Sequence, residues 1–191
     1  CWDHEPHKRP TFPEVLDEID TILLSASIAH SDARAFWSAH FAKPSLRTEV
    51  PWKEFGSVLL HELGLPPQQV QQIFPLICAK ESDPSKTVDF VTMRAFSLMS
   101  TWFGPFFTPR TAPEILAEIA RFVQSAWFHW DLSNKQASDA RLLRRAEGTF
   151  LIRPSYTNPA KYPFTLSWLK EKTPENARIE RCGPETAPKT A

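Results

Sequence analysis

The sequence predicts an α+β protein whose first two-thirds are mostly helical and whose last third contains an antiparallel sheet flanked by a helix. Apolar residues recur at helical spacing from residue 11 to about residue 125. After Gly148, short runs of strand-forming residues are separated by turns rich in proline, asparagine and charged residues. The fold class rests on this change of pattern.

Composition and charge limit the classes of function. The 191 residues are 42% hydrophobic, enough for one sizeable globular domain or two small ones. The formal net charge is zero, so no overall field favours nucleic acid or an anionic membrane, and any anion site must be local. Cys1, Cys78 and Cys182 are too scattered for a disulfide framework or a zinc site, which favours a reducing, cytoplasmic setting. No apolar run is long enough to insert into a membrane.

Start and stop signals define the helices of the first half. Thr11 and Glu14 form a capping box that predicts a helix over residues 11–24. The polar residues 25–51, rich in alanine and serine, are predicted to be a linker with weak helical tendency. Two further helices are indicated by Trp52, Phe55, Leu59 and Leu63, with a stop at Gly64, and by Val70, Ile73, Phe74 and Ile77.

The second half begins as helix and changes to strands. A short strand-like piece and an aromatic-rich helix are predicted between residues 88 and 104. Capping boxes at Thr111 with Glu114 and at Ser133 with Gln136 predict two more helices, the second ending near Arg145. Strands are predicted after Gly148, at Phe164–Trp168 and weakly at Ala177–Arg181, with a charged turn at Lys170–Glu175 before the last of them.

The strand that follows Gly148 lies in the stretch GTFLIRPS and carries an unexpected charge. Side chains alternate along a strand, so Leu151 and Arg153 share one face. Phe150 and Ile152 share the other. Because both faces are apolar, we expect a central strand covered on both sides, with Arg153 at least partly buried. A guanidinium there without a partner would cost several kcal/mol, and neither the strand nor the next turn supplies an acidic residue.

The turn after this arginine offers donors suited to a phosphate dianion. Ser155-Tyr156-Thr157-Asn158 brings hydroxyl and amide groups beside a planar guanidinium, which can bind phosphate through two parallel hydrogen bonds. We therefore predict that the partner of Arg153 is an external anion. The alternative is that Arg153 pairs with a distant carboxylate of the chain or emerges into water at the strand end.

Four motifs follow one another between residue 127 and about residue 181. They are Trp127-Phe128-His129-Trp130-Asp131-Leu132-Ser133, then Leu142-Leu143, then GTFLIRPS, then Pro163-Phe164-Thr165-Leu166-Ser167. In this order and spacing they resemble the first half of a Src homology 2 domain. In that family the strand arginine binds the phosphate of phosphotyrosine, which implies this role for Arg153. The resemblance also implies that Ser155 contacts the phosphate and that Thr157 lies in the phosphate-binding loop.

The chain departs from that family at several positions. Asn134 stands where the early helix of the family has a second basic residue, and the adjacent Lys135 is expected to substitute for it. Asn176 and Arg178 stand for a histidine and a basic residue of the third strand, and Trp130 replaces a common glycine. The resemblance therefore implies a less fully clamped phosphate site, formed by Arg153, Ser155, Thr157, Lys135 and Arg178. The sequence stops before the second helix of the family, so no peptide preference is predicted.

Two other segments resemble known folds. Residues 1–12, CWDHEPHKRPTF, with the capped helix after them, resemble the end of a protein kinase catalytic domain. Arg9 corresponds there to an arginine that anchors the activation segment, which is a structural role. Residues 52–125 resemble more distantly the EF-hand-type helical segment that precedes the Src homology 2 fold in some adaptor ligases and in STAT-type transcription factors. Their aromatic residues Trp102, Phe103, Phe106 and Phe107 are predicted to be core or interdomain contacts.

The chain itself is not expected to be an enzyme or to hold a cofactor or metal. A glycine-rich phosphate loop, a catalytic aspartate loop and a metal-binding Asp-Phe-Gly are absent from the sequence. A calcium loop beginning at Asp83 would lack its required glycine and glutamate. Cys1, His4 and His7 would supply only three zinc ligands.

These features predict five segments along the chain. They are the end of a kinase domain at 1–24, a linker at 25–51, a helical spacer at 52–125, a partial Src homology 2 domain at 126–182 and a disordered tail at 183–191. The order resembles amoeboid dual-specificity kinases that carry a Src homology 2 domain after the catalytic domain. Because Cys1 opens directly into a motif, we expect a fragment of such a kinase.

The predicted function is phosphotyrosine-dependent peptide binding that localises or regulates the attached kinase in the cytoplasm. Three alternatives stay open: a regulatory remnant of a kinase whose activity is protein phosphorylation, a STAT-like linker with a Src homology 2 region, or a structural role with a vestigial pocket. The predicted partners are phosphotyrosine-containing proteins or peptides. Nucleic acid binding and direct membrane insertion are not expected.

Overall fold

The computed structural model describes residues 5–79, 89–104 and 112–181. A 3-10 helix at Pro6–Lys8 precedes the other elements. The helices are α1 Phe12–Ser27, α2 Ser31–Phe41, α3 Trp52–Glu62, α4 Pro67–Ile77, α5 Met93–Phe103, α6 Ala112–Gln124 and α7 Lys135–Leu142. The strands are β1 Glu49–Pro51, β2 Cys78–Ala79, β3 Phe90–Thr92, β4 Phe150–Pro154, β5 Phe164–Lys170 and β6 Thr173–Ile179. The α+β class predicted from the sequence is confirmed.

Helix α1 begins at the predicted capping box. The Thr11 backbone N–H donates to Glu14 Oε2 at 2.6 Å, and the Glu14 N–H donates to Thr11 Oγ1 at 3.5 Å. Leu24 is buried against the rest of the molecule, and the helix continues three residues beyond the predicted end, to Ser27. Most of its apolar side chains remain at least two-fifths exposed, namely Phe12, Leu16, Ile19, Ile22 and Leu23. The described residues therefore leave the apolar face of this helix largely uncovered.

Residues 25–51, predicted to be a linker with weak helical tendency, contain an ordered helix that packs into the core. Residues Ser31–Phe41 form α2, which buries Phe36, Trp37 and Phe41. Trp37 is fully buried, and its indole Nε1–H donates to the Arg47 carbonyl at 2.9 Å. The segment looked like a linker because alanine and serine dilute its hydrophobicity, although three large aromatic rings within one helix bury more area than the average suggests.

The helical part of the chain packs around a cluster of aromatic rings. Phe36 stacks on Phe96 of α5 with centroids 5.9 Å apart, and Phe41 stacks on Phe55 of α3 at 5.5 Å. A small antiparallel sheet, with order β1-β3-β2, joins the loops between these helices. Helix α5 ends at Gly104, as predicted, with φ +94°.

Several predictions fall outside the described residues. They concern Cys1 and His4 of the zinc candidate, the calcium loop beginning at Asp83, the aromatic pair Phe106 and Phe107, the capping residue Thr111, and the tail at 183–191. Within the described ranges, no group of three histidine, cysteine or acidic side chains could hold a metal ion. No helix among those residues is long and apolar enough to cross a bilayer.

The second sheet has the antiparallel order β4-β5-β6, so β5 is its central strand. The expectation that β4 is central is wrong for the described strands. On its outer side β4 meets one short segment, where the Ile152 N–H donates to the Trp127 carbonyl at 2.7 Å and the His129 N–H donates to the Ile152 carbonyl at 2.8 Å. The two apolar faces of β4 correctly indicated that the strand is covered on both sides. Coverage of the faces does not determine which strands lie beside it in the sheet.

The two faces of this sheet meet different neighbours. Leu151 packs with Leu132 and Leu142 beside helix α7. Ile152 and Phe164 point the other way, into the core of the helical part. The described residues of the helical part and the sheet therefore share one apolar cluster, and the boundary predicted near residue 126 stays a prediction.

Two local predictions need correction by one or a few residues. Helix α7 is capped by Asn134, whose Oδ1 accepts from the Ala137 N–H at 2.9 Å, rather than by Ser133. The predicted turn at Lys170–Glu175 contains only Glu171 and Lys172, both with positive φ. Their backbone N–H groups donate to the Glu147 carboxylate, so β6 starts at Thr173, earlier than expected.

Candidate functional site

Arg153 lies at the end of β4 and is 9% exposed. Its Nη1 makes one long contact, 3.4 Å, with the Pro154 carbonyl, and its buried Nε has no hydrogen-bond partner. No carboxylate of the described residues forms an ion pair with it. Burial lowers the pKa of the guanidinium, and the nearby Asp139 and Tyr156 oppose this effect. The group remains charged, because arginine does not lose its proton in proteins. It is therefore a buried cation with unused donors.

The loop after β4 places the predicted hydroxyl groups beside this arginine. Ser155 is 4% exposed, and its Oγ–H donates to the Thr157 carbonyl at 3.2 Å. The Ser155 N–H donates to the Pro163 carbonyl at 2.9 Å, which closes the loop at its base. Thr157 is exposed at the tip. The serine is thus fixed by the loop, and the threonine is available to a ligand.

The strand register brings Arg178 to the same face of the sheet as Arg153. Arg153 pairs with Thr165 on β5, and Thr165 pairs with Arg178 on β6. Directly paired residues of neighbouring antiparallel strands point to the same face, so the two arginines flank Thr165 at a backbone distance of about 10 Å. Arg178 is exposed, and its guanidinium lies 5.5 Å from the ring centre of Tyr162.

Lys135 is on α7, and the structure pairs it with an acidic residue. Its Nζ lies 2.6 Å from Asp139 Oδ2, one helical turn along. The other oxygen of Asp139 accepts from Asn176 Nδ2 at 3.1 Å, and Asn176 Oδ1 accepts from the Ser167 hydroxyl at 2.6 Å. Asn176 therefore ties the sheet to α7. The ammonium group of Lys135 is therefore already engaged by Asp139.

Sequence reasoning missed one residue of the site, Asp139, and named Tyr156 only as one member of the turn. Asp139 is a carboxylate whose negative charge opposes the burial that lowers the pKa of Arg153. Its spacing of four residues from Lys135 on a helix was the signal that could have found it. Tyr156 faces both Arg153 and the helical part, and burial raises the pKa of its hydroxyl while Arg153 lowers it. Its ring meets Trp102 of α5 edge to face, with centroids 5.3 Å apart. Trp102, predicted to be a core or interdomain contact, thus packs against the loop that follows β4.

Residues 127–187 match the family model described as SH2 domain. The resemblance predicted for residues 127–181 is therefore confirmed, and this part of the chain is a Src homology 2 region, a phosphotyrosine-binding module. Such a module binds rather than catalyses.

The chain is also similar over nearly its whole length to two protein kinases of Dictyostelium discoideum. It is 39% identical over 181 residues to dual specificity protein kinase shkE, covering 95% of this chain and 25% of that protein. It is 38% identical over 185 residues to dual specificity protein kinase shkD, covering 94% and 24%. The chain spans about a quarter of the length of these relatives. Among solved structures, an inactive choanoflagellate E3 ubiquitin ligase Cbl TKB aligns with TM-score 0.49 and 19% identity, over 81% of this chain and 44% of that one.

Proposed function

We propose that this chain binds phosphotyrosine-containing peptides at Arg153 and the loop after it, and thereby localises or regulates a protein kinase to which it is joined. The observation that carries the proposal is the guanidinium of Arg153, 9% exposed with an unpartnered Nε. A buried, permanently charged donor is stable only if a ligand or the chain compensates it. A phosphate dianion does so through two parallel hydrogen bonds.

The other site residues have distinct roles in this proposal. Ser155 and Thr157 present hydroxyl groups from the loop, and Arg178 adds positive charge from β6. Lys135 contributes less, because it is engaged with Asp139 at 2.6 Å. Electrostatic capture by Arg153 supplies affinity, and the aromatic body of phosphotyrosine allows the phosphate to reach a recessed arginine that phosphoserine is too short to reach.

The link to a kinase rests on two observations. The relatives that match over most of this chain are dual-specificity kinases by name. The N-terminal helix α1 exposes an apolar face, with Phe12 74% and Ile22 60% exposed. A face of that kind fits the end of a catalytic domain, which would cover it. We place the joined protein in the cytoplasm, where phosphotyrosine ligands and reduced cysteines are found.

The proposal is tested by titrating a mixed-sequence phosphotyrosine peptide into the 191-residue chain by calorimetry or fluorescence anisotropy. Arg153→Ala should weaken binding by about 2–5 kcal/mol, which is at least about thirtyfold. Arg141→Ala is the matched control, because Arg141 is an exposed arginine 2.8 Å from Asp131 and lies outside the site. It should leave the affinity within about twofold.

Two further ligands separate the proposed function from a structural role. The unphosphorylated peptide and the phosphoserine analogue should each bind far more weakly than the phosphotyrosine peptide. If the wild-type chain binds all three equally, or if Arg153→Ala binds like the wild type, the pocket has no phosphotyrosine function.

A further inference from the structure

The loop between β4 and β5, residues 155–163, is attached near both of its ends to the C-terminal end of helix α5. At its start, the indole Nε1–H of Trp102 donates to the Ser155 carbonyl at 2.9 Å. Trp102 is 4% exposed, so this hydrogen bond is protected from water. The same ring contacts Tyr156 edge to face at 5.3 Å. One side chain of the helical part thus holds the first two residues of the loop.

The far end of the loop is held by Arg181, which follows β6. Its Nε donates to the Ala160 carbonyl at 3.3 Å, and its backbone N–H donates to the Lys161 carbonyl at 2.9 Å. Its Nη2 donates to the Trp102 carbonyl at 3.0 Å and also to the Thr101 carbonyl. The guanidinium therefore occupies the C-terminal end of α5, where carbonyl groups lack helical partners.

Gly104 gives α5 the backbone conformation at which the helix ends beside Arg181. It has φ +94°, a conformation that favours glycine, and a Cβ built there would lie 3.4 Å from Arg181 Nη1. The helix end, the arginine and the loop form one connected unit. Ser155 is at the first attachment point, and the exposed Thr157 lies between the two.

We infer that Trp102 and Arg181 are positioning residues that hold the phosphate-binding loop in its binding conformation, so that the helical part of the chain sets the affinity of the phosphotyrosine site. This inference rests on the proposed function. A loop that is held only part of the time binds with an affinity reduced by the populated fraction. Losing one neutral hydrogen bond that orders the loop should therefore weaken phosphotyrosine peptide binding by about three- to tenfold.

The test compares two tryptophan substitutions of the same chemistry. Trp102→Phe keeps a six-membered ring beside Tyr156 and removes the donor to Ser155 together with the five-membered ring of the indole. Trp37→Phe removes an equivalent indole hydrogen bond, 2.9 Å to the Arg47 carbonyl, deep in the helical core and away from the loop. Both should lower the denaturation midpoint by similar amounts. Only Trp102→Phe should weaken binding of the phosphotyrosine peptide, measured where each variant is fully folded.

Arg181→Lys provides a second variant that separates position from charge. Lysine retains the positive charge, but one ammonium group cannot reach the carbonyl groups of Trp102 and Ala160 together with the geometry of a guanidinium fork. We expect a loss of about three- to tenfold in affinity here too. An unchanged affinity in Arg181→Lys and in Trp102→Phe would overturn the inference.

Hydrogen exchange of residues 155–162 gives a readout that needs no ligand. In Trp102→Phe these amides should exchange faster while the helical core keeps its protection, and in Trp37→Phe the loop should be unchanged. If the wild-type chain does not bind phosphotyrosine but loop protection still depends on Trp102, the proposed function fails and the attachment stands. If binding is intact and loop exchange is the same in wild type and Trp102→Phe, the inference fails alone.

Discussion

Replacing Arg153 with methionine is predicted to stabilise the ligand-free protein while removing its phosphate binding. In the structure the guanidinium is 9% exposed, its Nε has no partner, and its one backbone contact is 3.4 Å long. Its hydration is lost on folding, and little replaces it. Methionine has a similar length and no polar group to desolvate, so it can fill the same space.

The size of this stabilisation follows from the buried hydrogen-bond donor of Arg153, Nε, that has no partner in the folded protein. A buried donor without a partner costs about 1–3 kcal/mol, and replacing buried charges with well-packed apolar side chains typically gains about 1–4 kcal/mol. Asp139 attracts the guanidinium from nearby and offsets part of this cost. We therefore expect Arg153→Met to raise the free energy of unfolding by about 1–3 kcal/mol.

Urea denaturation with and without a phosphotyrosine peptide measures this effect. At a peptide concentration of one hundred times Kd, the wild-type chain should gain about 2.7 kcal/mol, whereas Arg153→Met should gain nothing. Adding peptide should therefore remove or reverse the difference in unfolding free energy between Arg153→Met and the wild type. Arg178→Met is the matched control, because Arg178 is exposed over the Tyr162 ring and should change the unfolding free energy by less than about 1 kcal/mol.

One result would refute this reasoning. If ligand-free Arg153→Met has a native far-ultraviolet spectrum but is less stable than the wild type, the guanidinium is already compensated within the chain. The electrostatic basis of the proposed site would then be lost.

Three further predictions concern groups around the site and the helical core. Asp139→Asn should tighten phosphotyrosine peptide binding about two- to fivefold in calorimetry, because it removes a negative charge near the site and releases Lys135; weaker binding would show that the carboxylate supports the site. The pKa of His129 lies below its ordinary value of 6.5, mainly because the ring is buried and also because Arg141 is nearby. The unfolded chain therefore takes up the proton first, and the free energy of unfolding falls as the pH drops below 6.5. Urea midpoints at pH 7.5 and 5.5 should show this fall, and an equal fall in His129→Gln would contradict it. Burial, together with the nearby Asp89, raises the pKa of the Cys78 thiol to about 12. At pH 8 iodoacetamide should therefore label Cys78 far more slowly than a cysteine peptide, as measured by peptide-mapping mass spectrometry. Equal labelling rates would argue against the burial of this thiol.

The local features of the chain could be predicted because neighbouring residues determine them. The capping box of Thr11 and Glu14 and the helix end at Gly104 depend on contacts within a few residues. Sequence spacing also placed Arg153 on a covered face of a strand. Helix α2 was predicted only as a weak helical tendency, because its stability comes from burial of Phe36 and Trp37 against distant partners, which average composition does not reveal.

The candidate site divides in the same way. The sequence by itself determined that an arginine ends an apolar strand and that hydroxyl groups follow it, since both facts depend only on alternation and turn chemistry. Only the tertiary structure decided that Trp102 reaches Ser155 across 53 residues and that Arg181 reaches the same helix end across 79. Contacts of that separation depend on how packed elements meet in space, and no local periodicity encodes them.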